Sequence, residues 1–270
     1  MIRHRIGNEF LLIAQNDHAV FSGALAAHLG NERFAPPSPI LPTVQGIALH
    51  DSGWPLHDEA PTLDERGLPL HVLNTPIDIA AMVFNASVDR AIAVHPWSGL
   101  LVSQHVLRLS SLPHRGIGEA QVLFAINKFQ HRQIEIQESL RAGLGMRTDL
   151  PLTLGLARPG IDAQEDEFLV AAGWMRAMDT ISLQLCCDTP MFDSIDQIFS
   201  RPGSPAVTLR ITMPEPFVLM VDPWPFDVGE IQTQMPYRRV SAEPFASVEA
   251  FREAYAAAAV ENIPLRVAPF

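Results

Sequence analysis

Five residues of metal-binding type stand inside runs that otherwise read as apolar helix: His18, His50, Asp51, His105 and Asp179. With His50 and Asp51 adjacent, they fall on four separate helices or helix pieces, so the set meets only if those helices pack side by side around a shared interior. Burying an imidazole or a carboxylate there without a partner costs several kcal/mol or forces a pKa shift. A divalent cation compensates by pairing the charges. Neutral imidazole together with carboxylate suits iron, manganese or zinc better than calcium. The chemistry expected is therefore that of such an ion.

Helix geometry removes some other histidines. His18 and His28 are ten residues apart, about 15 Å of helical rise, and cannot share an ion. The same distance would separate His95 from His105 on a continuous helix, but Pro96 breaks that continuity and keeps His95 as a candidate. His57, His71 and His114 fall in loops that could line a pocket mouth. His4 and His131 read as surface residues, and Asp58, Glu59 and Asp64 as solvated loop charges. Trp54 and Trp97 read as core or pocket wall. Ser103 and Ser182 bond either to a ligand or back to a helix carbonyl.

The elements that must position these groups are mostly helical. Phe21, Leu25 and Leu29 recur at helical spacing after a cap at Asn16 or Asp17. Prolines at 36, 37, 39 and 42 make a loop, and an apolar run then delivers His50-Asp51 before Gly53. Thr75-Pro76 starts a further helix that Pro96 breaks, with Leu100 to Leu109 as its second piece. Gly118 to Leu144 and Gln164 to Cys187 are long amphipathic helices. Residues 2 to 13 form a short strand or lead into the first helix. From 205 onward the pattern turns to strands, Val207 to Thr212, Phe217 to Val221 and Gln232 to Val240. A helix capped by Ser247 and a last strand near Pro264 to Val267 follow. The expected fold is mainly α, a helical bundle over 1–189 with a small β-rich appendage over 190–270. That appendage reads as a pocket lid, a dimerisation surface that would give a homodimer, or a buttress.

Composition limits the partners. The chain has 270 residues, 47% hydrophobic and 18% charged, which suits a globular core. A net charge of −11, with Lys128 the single lysine, argues against nucleic acid, since phosphate binding needs a basic face. No apolar run reaches membrane-spanning length, and residues 2–15 lack the pattern of a signal peptide. Cys186 and Cys187 are adjacent, rarely bridge, and read as two thiols of a reducing, cytoplasmic compartment. A small-molecule substrate is the expected partner.

The order His18 … His50-Asp51 … His105 … Asp179 resembles that of the HD-domain metal-dependent phosphohydrolases, whose hallmark is H…HD…D on successive helices. The resemblance implies His18, His50, Asp51 and Asp179 as metal ligands. It implies His105, and with it His95, as ligands of a second ion or as catalytic groups. Four phrases, Gln15-Asn16-Asp17-His18-Ala19, His50-Asp51-Ser52-Gly53-Trp54, Leu101-Val102-Ser103-Gln104-His105 and Asp179-Thr180-Ile181-Ser182-Leu183, with Asp222-Pro223-Trp224-Pro225-Phe226 later, look like those of DUF3891, an uncharacterised bacterial family. The chain departs from many HD phosphohydrolases after the doublet, where Ser52-Gly53-Trp54 carries no basic residue. Arg90, Arg108 or Arg176 would have to meet a phosphate. The resemblance implies a hydrolase of phosphoesters or related small molecules that uses water activated by the ion. The alternatives are an HD-like di-iron oxygenase, and a non-catalytic binding or structural protein with a vestigial site.

Overall fold

In the computed structural model, residues 1–112, 118–149 and 163–270 are described. Strands β1 (Ile2–Ile6) and β2 (Glu9–Ile13) lead into helices α1 (Gln15–Ala26) and α2 (Ile40–Leu49) and the short α3 (Pro55–Asp58). After a 3₁₀ turn at Val72–Asn74 come α4 (Ile77–Val94), α5 (Pro96–Leu109), α6 (Ala120–Gly143) and α7 (Ala163–Cys186). The chain closes with β3 (Ser194–Phe199), β4 (Ala206–Glu215), β5 (Val218–Asp222), β6 (Ile231–Ser241), α8 (Val248–Ala257) and β7 (Val260–Pro269).

The expectation of a mainly α bundle with a small β-rich appendage is overturned. The strands make one seven-stranded sheet in the order β1-β2-β6-β7-β5-β4-β3, antiparallel except where β5 runs parallel to β7. Residues 2–13 form a hairpin, Ile2 opposite Ile13, whose second strand pairs with β6 from Glu9 opposite Ser241 onward. The sheet thus draws on both ends of the chain, and the architecture is α+β.

Side-chain alternation explains why this hairpin belongs there. Leu11 and Ile13 point into the main core, with Phe21, Leu25 and Trp174 of the helices. Phe10 and Leu12 point the other way, into a smaller core with Met1, Val240 and Phe251 of α8. Both faces of β2 are covered, so four successive apolar residues replace an in-out pattern.

Some helix signals hold and others do not: α1 starts after Ala14 instead of at a cap on Asn16 or Asp17, and α2 begins at Ile40 and takes in Pro42. Pro96 separates α4 from α5, and Ser247 caps α8 by accepting from Ala250 N at 3.2 Å. Helices α1, α2, α5 and α7 pack against one another. A Cβ on Gly23 would sit 2.5 Å from Ala48 Cβ, so glycine is what lets α1 and α2 approach. Among the described residues no helix is long and apolar enough to cross a membrane. Cys186 and Cys187 are free and buried.

Candidate metal centre

His18 sits one turn into α1, His50 closes α2, Asp51 follows in the turn, His105 lies in the last turns of α5, and Asp179 projects from α7. The packing of these four helices brings all five residues together. Asp179 Oδ1 is 3.6 Å from His18 Nε2 and 3.4 Å from His50 Nε2, and Oδ2 is 3.5 Å from His105 Nε2. Asp51 Oδ2 lies 3.2 Å from His18 Nε2 and 3.7 Å from His50 Nε2. The ligand atoms of His18, His50 and Asp179 all lie within 4.8 Å of one another, close enough to share one ion.

The outer nitrogen of two rings is fixed. Ser182 Oγ donates to His18 O at 2.8 Å and lies 3.1 Å from His18 Nδ1, so with its one proton committed it accepts from Nδ1–H. Ile47 O, which can only accept, lies 2.7 Å from His50 Nδ1. Neutral, both rings therefore turn an Nε2 lone pair inward. Within the protein, His50 Nε2 and His105 Nε2 have no hydrogen-bond partner although buried. Unsatisfied buried nitrogens beside two carboxylates are what a divalent ion would complete, so the donor set fits one.

Electrostatics follow from this crowding. Burial alone would lower the His50 imidazole, but Asp51 and Asp179 outweigh it and hold it up at about 9. Burial, joined by the charge of His50 and opposed by Asp179 and Asp51, pushes His105 down to about 4. The Asp179 carboxyl is well below the usual aspartate range: burial would raise it, and the imidazoles of His50, His105 and His18 more than reverse that.

The doublet is clamped from outside. Gly53 N donates to Ser87 Oγ at 2.8 Å, and a Cβ on Gly53 would collide with the Val83 carbonyl of α4. Trp54 is pocket wall as well as core, donating from Nε1 to Asp51 Oδ1 at 3.0 Å. Trp97 instead bonds Thr43 in the core, and Ser103 bonds Gln133.

The site opens on a cavity of about 210 Å³. Gln15, His18, Asp51, His105 and Asp179 form its polar floor, while Val72, Ala80, Phe84, Leu109 and Leu183 form apolar walls. Leu73 and Leu112, both about half exposed, stand at its mouth. No lysine or arginine is among its described lining residues. Arg90 donates to Ser52 O, and Arg176 donates to the carbonyls of Asp196 and Gln197. Arg108 stays near enough for Asp179 to oppose the lowering that burial imposes on it, yet does not line the cavity.

Several other expectations change. His95 is not brought to the cluster: it caps α5, its Nδ1 accepting from Trp97 N at 3.1 Å. His4 is buried, with Nδ1 3.3 Å from Cys186 O and its ring 4.5 Å from that of Phe217. Asp58 is buried and accepts from Met1 N and from Gln15 N, so it caps α1 from another element. Asp64 holds Arg3 and two backbone amides. His57 bridges Asp58 and Thr62, and His71 lies beside the cavity wall as cap of the 3₁₀ turn. His114 lies outside the described residues.

Gln15 escaped the sequence reading. It donates from Nε2 to Asp51 Oδ2 at 3.0 Å and lines the cavity. Its position three residues before His18, on the same helix face, was the available signal.

A family model matches residues 1–242 with the description "Protein of unknown function (DUF3891)". The chain belongs to the DUF3891 family. No curated protein and no solved structure matches the chain. This DUF3891 member carries all four quoted helical phrases within the matched span.

Proposed function

We propose that this protein is a metal-dependent hydrolase of a small molecule, with the ion held by His18, His50 and Asp179 and the set closed by Asp51. The observation that carries this reading is that His18 and His50 are both held with Nδ1–H outward and Nε2 turned toward the carboxylates of Asp51 and Asp179. The likeness to HD phosphohydrolases supports it through the order of these residues alone, since the α+β sheet is not an HD-like bundle.

A divalent ion bound here would lower the pKa of water toward neutrality and oppose the charge that develops on the electrophile. The residues do the rest. Gln15 and Trp54 hold Asp51 through both of its oxygens. His105 Nε2, unpartnered on the cavity floor, stands where it would exchange a proton with a bound water or with the leaving group. The apolar walls limit competing water. His95 has no part, because its ring caps a helix.

The histidine-rich set, with no lysine or arginine among the described lining residues, favours a second reading, oxygen chemistry at iron. Elemental analysis of freshly purified protein tests both. One or two equivalents of metal are expected, lost in His50→Ala and Asp179→Ala. Zinc or manganese with turnover of small esters supports the hydrolase, and oxygen-sensitive iron supports the oxygenase. Native protein that stays metal-free after reconstitution with these ions eliminates both.

A further inference from the structure

The side chain of Gln15 has a fixed direction. Asp51 Oδ2 can only accept, so the amide nitrogen of Gln15 must face it, at 3.0 Å. The amide oxygen is then turned away from Asp51. That oxygen is buried and has no hydrogen-bond partner in the protein, in a residue that is 3% exposed and lines the cavity. A buried acceptor without a donor costs about 1–3 kcal/mol, so it marks a place where something else brings an N–H or O–H.

The surroundings restrict what brings it. The cavity is about 210 Å³, and its walls are aliphatic and aromatic apart from Thr75, whose hydroxyl donates to His71 O. Asp51 and Asp179 supply two negative charges, enough to balance a divalent cation, so the loaded floor holds no excess of positive charge. Among the described lining residues there is no lysine or arginine to contact an anion, and the nearby Arg108 lies beside Asp179 without lining the cavity.

We propose that the pocket selects a small, uncharged molecule with an apolar body and one O–H or N–H donor, and that Gln15 Oε1 accepts from that donor. Gln15 is then a substrate-binding residue that also orients Asp51. The inference rests on the metal-centre reading for its charge balance, and it sets aside phosphate esters as the substrate class. The apolar body would lie along Phe84, Ala80 and Leu109, with the donor on the floor.

Three six-carbon probes test it on the full chain: cyclohexanol, which donates; cyclohexanone, which has the same number of heavy atoms and does not; and cyclohexyl phosphate, which is anionic. Dissociation constants are measured by calorimetry or ligand-observed NMR on protein of measured metal content. Cyclohexanol should bind about tenfold or more tightly than cyclohexanone. In Gln15→Met, which keeps length and removes the acceptor, the ratio should fall below about twofold. The phosphate should bind no more tightly than the ketone. Equal binding of alcohol and ketone in the native protein means that water alone meets Oε1 and overturns the inference, as does preferential binding of the phosphate or no binding of any probe. The native comparison stands even if Gln15→Met fails to fold. Protein that takes up no metal but still prefers the alcohol would remove the hydrolase reading and leave this inference in place. Protein that holds metal without the preference would do the reverse.

Discussion

Ser182 Oγ donates to the carbonyl of His18 at 2.8 Å and accepts from its Nδ1 at 3.1 Å. One hydroxyl thereby joins α1 to α7 and fixes which nitrogen of His18 faces Asp179. Partners of this kind set ring orientation and basicity, and their loss typically costs ten- to a hundredfold in metal affinity. Ser182→Ala should weaken metal binding by about that factor in a calorimetric titration and leave the circular dichroism spectrum unchanged. Ser182→Thr should recover part of the loss. Unchanged affinity in the alanine variant would mean that the ring is held by packing alone.

Gly53 decides whether the doublet can lie against α4. A methyl group there meets the Val83 carbonyl and crowds Ser87 N, and neither is the end of a flexible side chain. Gly53→Ala should therefore destabilise the protein by about 3 kcal/mol or more, through overpacking and loss of the bond to Ser87. Gly143→Ala is the control. It lies at the end of α6 with nothing within 4 Å of the added carbon, and should stabilise by up to about 1 kcal/mol. Urea midpoints that move equally in the two variants would remove this account of Gly53.

Much of the site was legible in the sequence because an ionisable residue inside an apolar helical run is costly, and His18, His50, His105 and Asp179 are all of that kind. Helix breaks were legible for a similar reason: Pro96 cannot continue α4, and Ser247 offers a cap. The hairpin was legible only as a short strand or a lead into α1, because Phe10-Leu11-Leu12-Ile13 is apolar on both faces and lacks the alternation that announces a strand. The role of Gln15 was not legible, because a neutral polar residue at the start of a helix reads as an ordinary solvated position. His4, Asp58 and Asp64 were misread as solvated because their partners lie far along the chain, Cys186 for His4 and Gln15 for Asp58. Spacing reports which face a residue shares; it does not report what a distant element brings to it.

His95 and His105 separate a structural role from a chemical one. His95 Nδ1 satisfies an orphan amide at the start of α5, so His95→Ala should cost about 0.5–2 kcal/mol of stability and leave metal content intact. His95→Asn, which keeps a capping acceptor, should recover most of that loss. His105→Ala should keep the metal held by His18, His50 and Asp179 and lose turnover by at least about a hundredfold if it carries the proton. Melting curves, elemental analysis and activity on the same preparations check all three. Metal loss in His95→Ala with the fold intact would return that residue to the site.

Asp64 gives a pH dependence that is independent of the metal. Its Oδ1 accepts from the amides of Arg66 and Leu68, both at 3.0 Å, and its Oδ2 from Arg3 Nη1 at 3.1 Å. Partial burial would raise its carboxyl, but these amides and the Arg3 guanidinium reverse that and hold it below the ordinary aspartate value. A carboxyl that is more acidic folded than unfolded contributes stability when ionised. That contribution is complete above the unfolded value of about 4 and disappears as pH falls through the lower folded value. Asp64→Asn should therefore be less stable than the native protein at pH 7, and the gap should narrow steadily below about pH 4. Urea denaturation of both proteins between pH 3 and pH 7 measures this. A gap that stays constant across the range would mean that the loop is held by the neutral hydrogen bonds, which asparagine can partly supply, and not by the charge of Asp64.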